Sequence, residues 1–172
     1  MVNRQEKRAI VTAQMYNPRL LSWKKIRKAI IKIEADSFPQ YDPQEEILEQ
    51  DFSNKNNIVI LLRSSRQSII GYAYAEPIGQ LNPRRKKENG QTAYITSIAI
   101  HPNFQRKGLA ANLHKFLDAK LKKRGYSFLE GHVVNEKYLN SLTRIYADRI
   151  VRKRRMLHEE EMKHFVRISL NN

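Results

Sequence analysis

From Ile98 to Ala110 the chain reads Ile98-Ala99-Ile100-His101-Pro102-Asn103-Phe104-Gln105-Arg106-Lys107-Gly108-Leu109-Ala110. A β-branched run stops at a Pro, and a helical pattern follows from about Arg106. Backbone N–H groups at a helix start have no internal partner and point outward. They form an anion site that the helix dipole strengthens. Gly108 lets a ligand approach the backbone closely. Arg106 and Lys107 add full positive charge, and a pyrophosphate is the natural guest. A helix that merely begins with basic residues and a glycine has the same composition. No Lys-Ser/Thr follows Gly108, so this is not a Walker A loop, and no Gly-x-Gly-x-x-Gly is present. His158-Glu159-Glu160-Glu161-Met162 resembles a zincin helix but lacks its second His. The other histidines lack ligand spacing, so no metal is assigned. With no cysteine there is no disulfide, thiolate metal site or Cys nucleophile.

The elements around this loop follow from periodicity. Thr92 to Ile100 is the strongest strand, apolar on both faces as a central strand should be. Leu109, Leu113, Phe116, Leu117 and Leu121 form one helical stripe from about Arg106 to Arg124, and Gly125 supplies its end. Ser127 to Val134 is the next strand, which makes a right-handed crossover with a parallel pair. Upstream, Arg8 to Gln14 is a first strand. Leu20, Trp23, Ile26, Ile30 and Ile33 stripe a basic helix from Asn17-Pro18 to about Ser37. That helix either lies on a membrane or faces the core. A short helix runs from Asp42 to about Asp51. Asn56–Arg63 and Ser68–Glu76 pair as an antiparallel hairpin. Pro77 to Gln91 reads as a long basic loop with an Asn89-Gly90 turn. Tyr138 to Ile150 is helical, and Phe165 to Leu170 alternates as a closing strand.

The chain has 172 residues, 41% hydrophobic and 28% charged, which suits one folded domain over residues 1–172. The N-terminus has no apolar h-region, so no signal peptide is expected. The run Ile58–Leu62 is too short to span a bilayer. A cytoplasmic protein is the default expectation. The net charge is +15. Such a field raises encounter rates with nucleic acid, acidic membranes and phosphorylated cofactors, and does not choose among them. No nucleic-acid-binding motif accompanies it.

Gln105-Arg106-Lys107-Gly108-Leu109-Ala110 matches Gln/Arg-x-x-Gly-x-Gly/Ala, the acetyl-CoA signature of the GNAT family of N-acetyltransferases, and the order of elements resembles that family over nearly the whole chain. The resemblance implies an α/β (α+β) fold: a mixed central sheet of about six to seven strands flanked by about four helices. It implies acetyl-CoA as acetyl donor. Ile98, Ala99 and Ile100 would offer backbone groups to the pantetheine arm, and Gln105, Arg106, Lys107, Gly108, Leu109 and Ala110 would hold the pyrophosphate. Phe128-Leu129-Glu130-Gly131-His132-Val133-Val134-Asn135 is similar to a strand of the bacterial ribosomal-protein-alanine acetyltransferases. By that resemblance Glu130 is the base and Asn135 contacts the cofactor. Tyr146 takes the place of the family's tyrosine acid, with Tyr138 as a substitute. The family's Asn seven residues before that tyrosine is replaced by Leu139, and its Gly-Phe just after by Ile150-Val151.

The chemistry asks for these groups. A lysine-like amine is about one part in a thousand neutral near pH 7.4, a penalty of roughly 4 kcal/mol. A base has to remove its proton, and the departing thiolate needs an acid. His132 competes with Glu130 and needs no tuning to titrate near neutrality; bulk water is the third alternative. The expected partner is an amine-bearing acceptor: a peptide N-terminus, a lysine or a small amine. The alternative is a nucleic-acid- or ribosome-binding protein that keeps the fold, suggested by the charge. Many relatives dimerise, which leaves a homodimer open.

Overall fold

The computed structural model describes residues 11–158 and 161–171. Its strands are β1 (Thr12–Met15), β2 (Ile58–Arg63), β3 (Ile69–Pro77), β4 (Thr92–Ile100), β5 (Phe128–Val133), β6 (Ile150–His158) and β7 (Glu161–Ser169). The helices are α1 (Trp23–Ser37), α2 (Glu45–Ser53), the single turn α3 (Ile78–Leu81), α4 (Leu109–Lys123) and α5 (Glu136–Tyr146). All seven strands form one sheet in the order β1-β2-β3-β4-β5-β7-β6. β4 and β5 pair in parallel, joined by α4, and every other neighbouring pair is antiparallel.

Helices cover both faces. Trp23, Ile26, Ile30 and Ile33 of α1 and Phe52 of α2 pack on Tyr72 and Tyr74 of β3. The striped basic helix therefore faces the core, and its lysines are the solvated side. Leu113, Leu117 and Leu121 of α4, with Leu139 and Leu142 of α5, pack on Ile58, Ile60, Ala73 and Ala75 from the opposite side. Covered on both faces, β2 is a continuous apolar run. Among the described residues no helix is long and apolar enough to cross a membrane.

The parallel pairing is short. β4 and β5 are in register only from Thr92↔Phe128 to Tyr94↔Glu130. β4 stays paired with β3 as far as Gly71↔Ile100, with a bulge at Tyr74/Ala75 that makes Thr96 an extra residue. Beyond Tyr94, β4 follows β3 while β5 follows β7, and a wedge opens between the two parallel strands.

Four expectations change. The first strand is Thr12–Met15, and the part expected at Arg8–Ile10 lies outside the described residues. Pro77–Gln91 is not an extended loop: it folds into α3 and a 3₁₀ helix, Pro83–Glu88. Pro83 is pre-set for the first helical position, and the Asn82 side chain accepts from Arg84 N–H at 3.1 Å. α4 begins at Leu109 rather than Arg106, because Arg106 (φ 60°) and Gly108 (φ 73°) are left-handed. α5 ends at Tyr146, and Ile150 starts β6, which carries Arg152-Lys153-Arg154-Arg155 at the sheet edge. Glu159 and Glu160 of the zincin-like segment lie outside the described residues.

Candidate active site

β4 ends at Ile100, and a tight 3₁₀ turn, Pro102–Phe104, reverses the chain toward α4. Gln105 ties the loop back, its side-chain N–H donating to the Ile100 carbonyl at 2.8 Å. The two left-handed residues then set the N-terminus of α4 at the rim of a groove of about 650 Å³. A Cβ on Gly108 would meet nothing within 4 Å, so its conformation, not crowding, selects glycine there.

Most of the residues expected at the cofactor line this groove: Ile98, Ile100, Gln105, Arg106, Gly108, Leu109, Ala110 and Asn135. Two side chains do not. Ala99 alternates to the other face of β4 and packs in the core beside Tyr72. Lys107 folds back over the Phe104 ring, its Nζ 5.4 Å from the centroid. The far wall is α5. Asn135 caps it, its side-chain oxygen accepting from the N–H of Lys137 at 2.8 Å and of Tyr138 at 3.3 Å. Tyr138, Ser141 and Arg144 follow on one helical face and also line the groove. Sequence reasoning missed Ser141 and Arg144; counting threes and fours from the Asn135 cap finds them. Arg106, Lys137 and Arg144 give the groove a positive field suited to phosphates.

The wedge between β4 and β5 holds a cavity of about 100 Å³, lined among others by Glu130, His132, Tyr138 and His114. Tyr138 lines both this cavity and the groove, so its ring stands at their junction. Gly131 permits close packing here, since a Cβ on it would come 2.6 Å from Ile95 Cγ2.

Glu130 is 1% exposed. It accepts from Arg85 at 2.6 and 3.1 Å and from Arg167 at 3.0 Å, so both oxygens are engaged. Arg85 also pairs with Glu88. His132 sits two residues on, pointing to the same face of β5, with Nδ1 2.7 Å from the Tyr94 hydroxyl. Tyr146, placed by resemblance as the acid, is 2% exposed and lines neither cavity nor groove. It stands behind His114. The His114 ring lies between two phenols, with Nε2 2.6 Å from the Tyr138 hydroxyl and Nδ1 3.1 Å from that of Tyr146. Burial pushes His114 down to about 4, so the ring is neutral at pH 7, and burial pushes both phenols up, so both keep their protons. Leu139, seven residues before Tyr146 where the resemblance asks for Asn, is buried in the core.

On the opposite wall, Phe38 lines the cavity one turn past Glu34. Glu34 Oε2 is buried without a hydrogen-bond partner among the described residues, and burial pushes this carboxyl up to about 7. Between its ordinary 4.5 and about 7 the folded chain holds a proton that the unfolded chain releases. Stability from this group is therefore full below 4.5 and fades as pH rises through 7. Glu34→Gln is expected to leave Tm unchanged at pH 4 and to raise it by about 3–6 °C at pH 8. Thermal melts of both proteins at the two pH values check this; an equal shift at both removes the titration.

The family model for the acetyltransferase (GNAT) family matches residues 23–142. No curated protein matches the chain by sequence. Solved structures similar to it include the ribosomal-protein-S18-alanine N-acetyltransferase of Escherichia coli, with TM-score 0.65, 15% identity, and 95% of this chain and 96% of that one covered. A GNAT superfamily phosphinothricin acetyltransferase of Sinorhizobium meliloti, in complex with acetyl-CoA, has TM-score 0.68 and 15% identity, covering 94% and 89%. Arabidopsis thaliana NAA60, in complex with acetyl-CoA, has TM-score 0.63 and 14% identity, covering 93% and 97%. With the mixed seven-stranded sheet, the β4–β5 wedge and the family model spanning most of the sequence, the chain belongs to the GNAT acetyltransferase family.

Proposed function

We propose that this chain moves an acetyl group from acetyl-CoA to an aliphatic amine. The observation that carries the reading is the left-handed Arg106–Gly108 turn, which places the start of α4 on a cationic groove running to the β4–β5 wedge. The groove suits the donor: the start of α4 offers N–H groups to phosphates, and Ile98 and Ile100 add apolar lining for the pantetheine arm. On this reading Gln105 to Ala110 hold the pyrophosphate. The Ile98–Ile100 backbone, unpaired on its β5 side, takes the pantetheine arm, and Asn135 flanks it. When bound, acetyl-CoA supplies an acetyl group already activated as a thioester.

His132 is the proposed base. Its ring lines the wedge cavity beside Tyr94, with Nδ1 2.7 Å from the Tyr94 oxygen, and a neutral imidazole there can take the amine proton. Glu130 fits a positioning role better, because its oxygens are committed to Arg85 and Arg167. Tyr138 is the proposed acid. A neutral imidazole has one donor and one acceptor. If Tyr146 donates to Nδ1 of His114, Nε2–H donates to the Tyr138 oxygen, and the Tyr138 proton is left for the groove. The N–C bond forms as the C–S bond breaks, and Tyr138 hands its proton to the sulfur. Tyr138→Phe is expected to lower kcat by about 10–10²-fold with acetyl-CoA affinity unchanged, and Tyr146→Phe only a few-fold. Steady-state kinetics with calorimetry decide; a larger loss in Tyr146→Phe returns the acid to that residue.

The function itself is tested by CoA release from acetyl-CoA over a panel of free-N-terminal peptides, lysine peptides and small amines. Release with any amine supports it. Acetyl-CoA binding with no release from any of them overturns it. The exposed cations of β6 favour the second reading, nucleic-acid binding on this fold. That binding falls steeply with salt when several phosphates are contacted.

A further inference from the structure

Strand register lines up side chains across the face that carries His132. Glu76, Tyr94, Glu130, Arg167 and Arg152 form one row over β3, β4, β5, β7 and β6. His132, Phe165 and Arg154 form the next. The second row is continuous: the His132 and Phe165 rings are 5.5 Å apart, and the Arg154 guanidinium lies 5.4 Å from the Phe165 centroid. Arg85 and Arg167 are neutralised by Glu88 and Glu130. Arg152 and Arg154 are exposed, and no ion pair joins them to another described residue. The face therefore has a base at one end, an apolar ring in the middle and two cations at the other.

Resting on the acetyl-transfer reading above, we infer that the acceptor is an extended polypeptide segment with acidic residues shortly after the acetylated amine. Two strand spacings separate β5 from β6, about 10 Å. An extended chain covers that in about three residues. A nucleic acid offers phosphates to this face but no aliphatic amine to His132. The first residues of the segment lie over Phe165, and an Asp or Glu about three residues on meets Arg152 and Arg154. The amine is either the segment's own N-terminus or a lysine side chain.

Peptides identical except for Glu or Arg at the third and fourth positions test this, each with a free and with a blocked N-terminus; Arg reverses the charge without adding an acceptor amine. One lysine at the first position gives the blocked pair its amine. The Glu peptide is expected to have about ten-fold higher kcat/KM, with the ratio shrinking as salt rises. The double variant Arg152→Glu, Arg154→Glu is expected to invert the preference, with acetyl-CoA affinity and turnover of a small neutral amine unchanged. Whether the blocked or the free peptide reacts decides between lysine and N-terminus. Equal rates for Glu and Arg peptides overturn the inference, as does a preference that survives the double variant. So does a double variant that loses RNA binding while peptide kinetics stay the same. Failure of every amine in the wider panel overturns the acetyl-transfer reading itself, which keeps the two apart.

Discussion

Gly108→Glu is expected to weaken acetyl-CoA binding by roughly 10²–10³-fold, on the scale of two like charges about 4 Å apart near a protein surface. The carboxylate would stand at the groove rim, where the start of α4 is proposed to hold the pyrophosphate. The fold should survive. A side chain at φ 73° is strained by about 1 kcal/mol, and the space around it is open. Gly108→Ala supplies the control, because it adds the strain without the charge. Isothermal calorimetry on both variants reads the difference. Wild-type affinity in Gly108→Glu, with an unchanged melting temperature, removes this loop from the cofactor site.

His132→Gln is expected to lower turnover by roughly 10²–10⁴ while acetyl-CoA affinity stays the same, the usual scale for a lost general base. Glutamine keeps a hydrogen-bonding group beside Tyr94 but accepts no proton. The deficit should narrow as pH rises toward the amine's own pKa, because the substrate then arrives neutral. Glu130→Gln should behave differently. It leaves Arg167 without its counter-charge and Arg85 with Glu88 alone, so its main effect is a loss of about 1–3 kcal/mol of stability. If Glu130→Gln instead loses turnover at full stability and His132→Gln does not, the base is Glu130.

The contrast between those carboxylate and imidazole assignments marks how far the sequence could be read. Hydrophobic period identified β4, α4 and the core face of α1, because each buries a continuous stripe. The turn at Gln105–Ala110 was legible because its residues are contiguous and Gly108 marks a left-handed position. Glu130 was not, since its partners Arg85 and Arg167 lie far away in sequence and meet it only through the 3₁₀ turn and β7. The choice between Tyr138 and Tyr146 depended on the rotational phase of α5 against the groove, which a helical pattern alone leaves open. β6 escaped notice for another reason. Val151 to Arg155 are all exposed, so that stretch has no alternation of apolar and polar residues to detect.

That same strand has a consequence for how copies of the protein are expected to meet. Among the described residues β6 ends the sheet with β7 on one side only, which leaves its outer ladder of N–H and C=O groups open to another chain. Four consecutive cations along it make two such edges repel each other. Colloidal stability is therefore electrostatic at this edge. High salt or a polyanion such as heparin screens the repulsion, and Val151 and Leu157, 56% and 66% exposed, then favour sheet-to-sheet self-association. Purification at low ionic strength keeps the protein dispersed, and neutralising Arg152–Arg155 trades solubility for an open edge.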